Sequence, residues 1–281
     1  VYNYEDNNLL LSGNLFDGSN YKPFATRVFL DGSVDTDDYG SNGYRLANYS
    51  GNNAYAKSMS LDGDEGIWIA GYVEDGSDND MAITVFDSDG DLFDENDFDN
   101  GKNTLTHSSS YSDDSAAEIL QIQSGAQAGK YLIASIADDG TNQHIILTRL
   151  TSAGQLDTTF DSDGNKQLKI GTSAKVNGML ELPTGNFIIY GDVTEGDNTD
   201  GFIARLDQNG LLDSSFAING IYTTSAISST NIKFNQVKTD SLGRLIAVGS
   251  FESGNISAFA LRLTSNGELD TLFNTGINSG Y

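Results

Sequence analysis

The chain has 281 residues, 38% of them hydrophobic, with 40 acidic against 15 basic side chains for a formal net charge of -25, and it contains no cysteine. So acidic a surface repels nucleic acid and anionic lipid, the missing thiols exclude disulfides and thiol nucleophiles, and no apolar run approaches the length of a membrane span. The length accommodates one large domain or two ordinary ones.

The N-terminal VYNYEDNNLLLSG has no basic region of the kind that opens a signal peptide, and it begins inside a repeating unit, as a domain of a larger chain does. Its apolar run LLLSG ends at Gly13 and recurs as IWIAG, LIASI, FIIYG and LIAVG, ending at or beside Gly71, Ser135, Gly191 and Gly249. Five residues later stands a turn glycine, Gly18, Gly76, Gly140, Gly196 or Gly254. Glycine there supplies a positive φ without steric cost, which is hairpin chemistry. A second apolar run follows (FATRVFL, MAITVFD, IILTRLT, FIARLD, FALRLT) and closes on Gly32, Gly90, Gly154, Gly210 or Gly267. Next comes an LD-x-x-F element. Its acidic residue is Asp35, Asp94, Asp157, Asp213 or Asp270, and its aromatic residue is Tyr39, Phe98, Phe160, Phe216 or Phe273. A third glycine and a short fourth strand such as IYTT from Ile221 complete the unit.

These segments alternate as strands do and show no helical periodicity. Five copies, at approximately 1–50, 51–110, 111–172, 173–228 and 229–281, make one repeat array. A unit of four antiparallel strands cannot bury both of its faces alone, so the copies must pack on one another. Stacked β-helices use much shorter repeats, and leucine-rich repeats need a helix in each unit. The expected fold is all-β, a single β-propeller domain of five four-stranded blades.

The motif DG-x-LD-x-x-F-x-x-x-G, followed by strands such as LGRLIAVG from Leu242 and PTGNFIIYG from Pro183, resembles the bacterial delta-60 repeat family. The resemblance covers essentially the whole chain. Repeat one departs from it with Val34-Asp35, and repeat two carries an extra Phe93 before Asp94. The resemblance implies a propeller within a large secreted or surface-attached bacterial protein. It implies no common activity.

Asp87, Asp89, Asp91 and Asp94 alternate around Gly90 like the ligands of a calcium loop, and Asp161-Ser-Asp163-Gly-Asn165 is a weaker echo. Against this, Gly90 aligns with the hairpin glycines of the four other copies, where the loop is an ordinary turn. No cofactor is required on this reading, and calcium is an optional ligand. Arginine recurs on the second run as Arg27, Arg149, Arg205 and Arg262, with Val85 breaking the series. Together with the repeated aspartates it forms a pair across the hairpin or a lock between blades. Repetition in every blade marks it as structural, because catalysis needs an asymmetric site. Trp68 aligns with Leu10, Leu132, Ile188 and Ile246 and is expected in the core.

The connections between repeats differ from copy to copy, and variable loops on a rigid scaffold carry binding residues. Tyr49, Asn52, Asn53, Tyr55, His107, Tyr111, Asp113 and Asp114 ride there and suit a hydroxyl-rich or peptide ligand. His107 and His144 are both expected at the surface. The function these observations favour is a non-enzymatic recognition or adhesion module at a bacterial cell surface, binding a glycan or peptide on one propeller face, without nucleic-acid partners or membrane insertion. The alternatives are a propeller-based glycoside hydrolase or lyase using Asp113 or Asp114, since such enzymes need two carboxylates at a set separation, and a structural spacer in a large adhesin.

Overall fold

The structure is a computed structural model, and it describes residues 2–3, 8–64, 66–76, 78–93, 101–105, 107, 111–196, 198–226, 231–253 and 255–273. Among the described residues every regular element is a strand apart from two short 3-10 turns, Gly125–Gln127 and Thr224–Ala226. Repeat one supplies β1 (Tyr2–Asn3), β2 (Asn8–Phe16), β3 (Tyr21–Phe29) and β4 (Tyr44–Leu46). Repeat two supplies β5 (Ala54–Leu61), β6 (Ile67–Asp75), β7 (Asp78–Phe86) and β8 (Lys102–Leu105), and repeat three β9 (Asp113–Gln121), β10 (Tyr131–Asp138), β11 (Gln143–Leu150) and β12 (Asn165–Leu168). Repeat four holds β13 (Ser173–Glu181), β14 (Phe187–Glu195), β15 (Asn198–Leu206) and β16 (Ile221–Thr223), and repeat five β17 (Asn231–Thr239), β18 (Leu245–Ser253) and β19 (Asn255–Leu263). Each repeat pairs its strands in sequence order, and a one-residue parallel bridge, Asn79↔Asp113, joins the sheets of repeats two and three. Among the described residues repeats one to four thus show four strands each and repeat five three, in the expected order, in an all-β, propeller-like arrangement of successive antiparallel sheets, and the fourth strand expected in repeat five lies outside the described residues.

Two compact units divide the chain. One comprises Val1–Gln123, Gln127–Thr141 and Ile146–Asn165, the other Ser124–Ala126, Asn142–Ile145 and Lys166–Tyr281. In the first unit the core lies between sheets, and alternation along the strands builds it. On β6, Ile67, Ile69 and Val73 face a cluster with Leu10, Ala25, Tyr39 and Tyr49 of repeat one. Trp68 and Ala70, pointing the other way, join Ala116, Ile119, Tyr131 and Ile133 of repeat three. Both faces of the sheet are therefore buried, which is why IWIAG reads as a continuous apolar run instead of an alternating one. Trp68 is 2% exposed, stacks on Tyr131 at 3.9 Å between centroids and donates its indole N–H to Asp62. In the second unit Ile188, Tyr190, Ile203 and Phe216 of repeat four meet Phe234, Val237, Ala247 and Leu261 of repeat five in the same way.

The LD-x-x-F element follows β3, β11, β15 and β19 as a brace. Nε of Arg27, Arg149, Arg205 and Arg262 donates to Oδ2 of Asp35, Asp157, Asp213 and Asp270 at 2.8, 2.6, 2.8 and 2.8 Å. Each guanidinium also lies 4.6 to 5.3 Å from the ring centre of Tyr39, Phe160, Phe216 or Phe273, a cation–π distance. Of the two readings the sequence leaves open, both hold. The pair spans its own hairpin, and the same arginine reaches the next repeat: Arg27 Nη1 donates to the Ser88 carbonyl at 3.3 Å and Arg205 Nη1 to the Ser265 carbonyl at 2.7 Å. Beside these contacts the Gly40 amide donates to the Asp89 carbonyl and the Ala217 amide to the Asn266 carbonyl, each at 2.7 Å. Gly267 seals the second joint. Its φ is +82°, and a Cβ there would lie 2.7 Å from the Phe216 ring.

Burial works against the charge of Asp157, but hydrogen bonds from Lys130, Thr159 and Arg149 outweigh it and hold the carboxyl far below the usual carboxylate range. A group with a depressed folded pKa stabilises the fold above its unfolded pKa, about 3.9 for Asp, and loses that contribution as pH falls through the folded value. Acid titration of the urea midpoint is therefore expected to show stability falling below about pH 4. In Asp157→Asn the fall is expected to be shallower, and an unchanged acid limb in that variant would contradict the assignment.

Candidate functional site

Four aromatic rings form a row where repeat one meets repeat two, inside the first unit. Phe16 and Tyr21 are register partners flanking the turn of the β2–β3 hairpin, and Tyr55 and Tyr72 are register partners on β5 and β6. Their centroids are spaced 5.2 Å (Phe16 to Tyr21), 5.4 Å (Tyr21 to Tyr55) and 4.9 Å (Tyr55 to Tyr72), the last two pairs stacked. These spacings are those of offset aromatic pairs. The row begins in solvent, with Phe16 54% and Tyr21 43% exposed, and deepens through the half-buried Tyr55 and Tyr72.

Asn53 joins the two pairs. Its Oδ1 accepts the Tyr21 amide at 3.0 Å, and its Nδ2 donates to Glu74 at 2.8 Å. The Glu74 amide donates back to the Asn53 carbonyl at 2.9 Å. Burial first, then the charge of Glu74 and the neighbouring phenols, pushes the Tyr55 hydroxyl above its ordinary pKa, and it bonds the Glu74 carboxylate. Lys57, on the bulge of β5, carries its ammonium 5.3 Å from the centre of the Tyr72 ring. The row therefore ends in a carboxylate, an amide and an ammonium, which supply acceptors and donors beside an apolar surface.

The eight residues singled out in the sequence divide between this row and other places. Asn53 and Tyr55 belong to it. Asn52 stands beside it, its amide bonded to the Tyr49 carbonyl. Tyr49 is 7% exposed, and its hydroxyl lies 2.9 Å from both the Ile83 carbonyl and Thr84 Oγ1, so it packs the joint between repeats. Asp113 Oδ1 accepts two bonds from Asn79, at 3.1 Å from the backbone and 2.7 Å from the side chain, and clasps repeats two and three together. Tyr111 lies half-buried beside Asp114, with its phenol raised by burial and by Asp114 and Asp139.

His107 corrects an expectation. It is not a surface residue: its side chain is 3% exposed, with Nδ1 at 3.3 Å from Asp114 Oδ2 and Nε2 at 3.0 Å from Thr148 Oγ1 and 3.4 Å from Ser135 Oγ. Asp114 also accepts the His107 amide at 3.0 Å. The pull into the interior comes from Asp114, Ser135 and Thr148, a polar set buried together, which only the folded register assembles. An acid, an imidazole and hydroxyls in that order resemble a catalytic triad, yet Ser135 and Thr148 are completely buried and no substrate atom reaches them. His144, half-buried, meets Gln167 Nε2 at 3.1 Å through Nδ1.

In the acidic loop, Asp87 Oδ1 accepts the amides of Asp89 (3.1 Å) and Asp91 (2.8 Å), and Asp91 pairs with Arg45 at 3.3 Å. The equivalent turn in repeat four has the same construction, Asp207 accepting the amides of Asn209 and Leu211. Gly90 packs against the Tyr39 ring. Asp94 lies outside the described residues.

Phe16 and Tyr21 flank a hairpin turn and Tyr72 lies within β6, so none of the three falls in the connections between repeats from which the sequence draws its binding residues. A signal was available. At the position after the first marker residue the five repeats read Asn14, Tyr72, Ile136, Asp192 and Ser250, a variable station inside an otherwise constant strand.

Three stretches, residues 129–160, 182–216 and 243–273, match the family model described as "Domain of unknown function (DUF5122) beta-propeller". No curated protein matches the chain. Among solved structures it is similar to the Cps50 (Swd1) β-propeller domain of Myceliophteria thermophila, at 10% identity over 90% of this chain and 74% of that one, with a TM-score of 0.41. It is similar also to the endo-arabinase of Bacteroides thetaiotaomicron (10% identity, 95% and 93% covered, TM-score 0.41) and to the GH43 endo-arabinanase of Bacillus licheniformis (12%, 95% and 73%, TM-score 0.39). The matched stretches lie in repeats three, four and five, and these repeats carry the sequence signature of a β-propeller repeat family.

Proposed function

We propose that the chain is a non-enzymatic recognition module that holds a glycan along the row Phe16–Tyr21–Tyr55–Tyr72, as one domain of a protein at the bacterial cell exterior. One observation carries the reading: four rings in continuous contact, open to solvent at one end and edged by Asn53, Glu74 and Lys57 at the other. A sugar offers an apolar C–H face for a ring and hydroxyls for an amide and a carboxylate, and an extended row of rings suits successive sugar units. The two carboxylates named for a hydrolase support binding over catalysis, because Asp113 is held by Asn79 and Asp114 is buried against His107. The exterior location rests on the resemblance of the repeats to those of secreted bacterial proteins. It accords with the absence, among the described residues, of any helix long and apolar enough to cross a membrane.

The test is a glycan array, run with and without calcium, followed by titration calorimetry on the best ligand. Tyr21 is exposed and contributes little to the core, so Tyr21→Ala is expected to keep the melting temperature. It is also expected to weaken binding at least about tenfold, as loss of a central aromatic contact does. Unchanged affinity in Tyr21→Ala, or an array blank for glycans and positive for peptides, would overturn the reading. Sugar release in the same wells would favour the hydrolase.

A further inference from the structure

The second unit uses the same station of the strand for different chemistry. The pair facing each other next to the strand bulge is Tyr55↔Tyr72 in repeat two and Lys175↔Asp192 in repeat four. Lys233 of repeat five occupies the place equivalent to Lys175 and faces Ser250. Around Lys175, Asp192 and Lys233 lies a polar pocket of about 130 Å³, with Gln143, Ser173, Thr194 and Thr199 completing its wall. That volume holds several waters, since one needs only ~10–15 Å³ measured in this way.

Asp192 is the feature that demands an explanation. It is 4% exposed, its Oδ2 lies 3.6 Å from the Lys175 ammonium, and its Oδ1 is buried without a hydrogen-bond partner. A buried acceptor left unmatched costs about 1–3 kcal/mol, and such groups point to a missing donor. Burial pushes the carboxyl above its ordinary range, and the opposing influence of Asn177, Lys175 and Lys233 does not cancel it. Two ammoniums against one carboxylate leave the pocket locally positive in a chain of net charge -25. A ligand that answers every group brings an anion for the lysines and, next to it, a hydroxyl to donate to Asp192.

We infer that this pocket binds a hydroxy-carboxylate, the chemistry of a sugar acid: Lys175 and Lys233 take the carboxylate, Asp192 Oδ1 accepts the neighbouring hydroxyl, and Thr194, Thr199 and Gln143 meet the rest. The site is separate from the aromatic row and stands without it. The sugar acid arrives either as a free monomer or as a unit of an acidic polysaccharide, and the lysine pair recognises both through the same group.

Titration of the whole chain with sodium glucuronate and sodium galacturonate, followed by amide chemical-shift changes and calorimetry, decides the matter. Glucose and acetate serve as controls, and an oligogalacturonide distinguishes polymer from monomer. The expected result is saturable binding of at least one sugar acid, at least tenfold tighter than acetate or glucose. Lys175→Met combined with Lys233→Met is expected to abolish it, and both lysines are exposed enough for the variant to fold. Asp192→Asn is expected to bring sugar acid and acetate to similar affinity, because the acceptor for the hydroxyl is weakened while the lysines remain. Tyr21→Ala is expected to leave this binding intact, so failure here and failure of the aromatic row are separable. Absence of saturable binding, equal affinity for acetate in the wild-type chain, or full binding by the double lysine variant would each overturn the assignment.

Discussion

Arg149→Ala is expected to be among the most destabilising single changes in this chain, costing about 3–5 kcal/mol, the range for removing one partner of a buried ion pair. Arg149 and Asp157 have side-chain exposures of 1% and 5%, and truncation takes from a buried carboxylate the donor at 2.6 Å from its Oδ2. Lys130 stays, at 2.7 Å from Asp157, which places the cost toward the lower end of that range. The ring of Phe160 also loses the guanidinium 4.6 Å away. Arg205→Ala removes the same kind of brace from a wetter place, with side-chain exposures of 13% and 24%, and is expected to cost less, about 1.5–3 kcal/mol. Urea denaturation of both variants gives the comparison. Equal midpoints for wild type and Arg149→Ala would remove the brace from the account of stability, and a larger loss for Arg205→Ala than for Arg149→Ala would show that burial does not set its strength.

Phe216→Ala is expected to cost about 3–5 kcal/mol, as large-to-small changes at fully buried aromatic positions do. The ring is completely buried among Ile188, Ile203, Leu245 and Leu263 of repeats four and five, under the Arg205 guanidinium and against Gly267. The same station in repeat one gives a prediction of opposite sign. Tyr39 is equally buried, and its hydroxyl is buried without a hydrogen-bond partner. Tyr39→Phe removes that unmet group at nearly constant volume and is expected to raise stability by about 1 kcal/mol. Thermal melts of the two variants test the pair. A neutral Phe216→Ala would mean the cavity collapses without penalty, and a destabilised Tyr39→Phe would mean the hydroxyl has a partner, such as an ordered water.

Much of the scaffold was legible because its chemistry is repeated. Gly90 and Gly267 could be named as turn residues, and Trp68 as core, by aligning copies. The recurrence of Arg27, Arg149, Arg205 and Arg262 with the aspartates that follow them was enough to expect a brace. Position within a loop was a poor guide to exposure. Tyr49, His107 and Asp114 stand in variable segments, yet the joints between sheets need polar anchors, and each finds one: Tyr49 at Ile83 and Thr84, His107 at Asp114 and Thr148. Contacts of that kind connect residues up to 41 positions apart, and no local pattern announces them. Tyr21 and Tyr55 come together across 34 positions, through an asparagine that bonds one strand end to the next. The aromatic row is therefore a property of two repeats in contact, and neither repeat shows it alone. Asp192 stands at the station where the five copies read Asn14, Tyr72, Ile136, Asp192 and Ser250, and its only mark in the sequence is that it is the charged residue of the five.

The joints formed by Arg27 and Arg205 each have a plug on one repeat and a socket on the next. The guanidinium and the amide behind the aromatic residue are the plug, and the carbonyls of the following unit's second turn are the socket. Arg27 and Gly40 enter Ser88 and Asp89, and Arg205 and Ala217 enter Ser265 and Asn266, with arginine and carbonyl 61 positions apart in the first joint and 60 in the second. Because the socket consists of backbone carbonyls, it does not depend on the side chains around it. Repeats of this kind can be duplicated, lost or exchanged in whole numbers while the coupling still fits, and the stations outside the joint are left to diverge one repeat at a time.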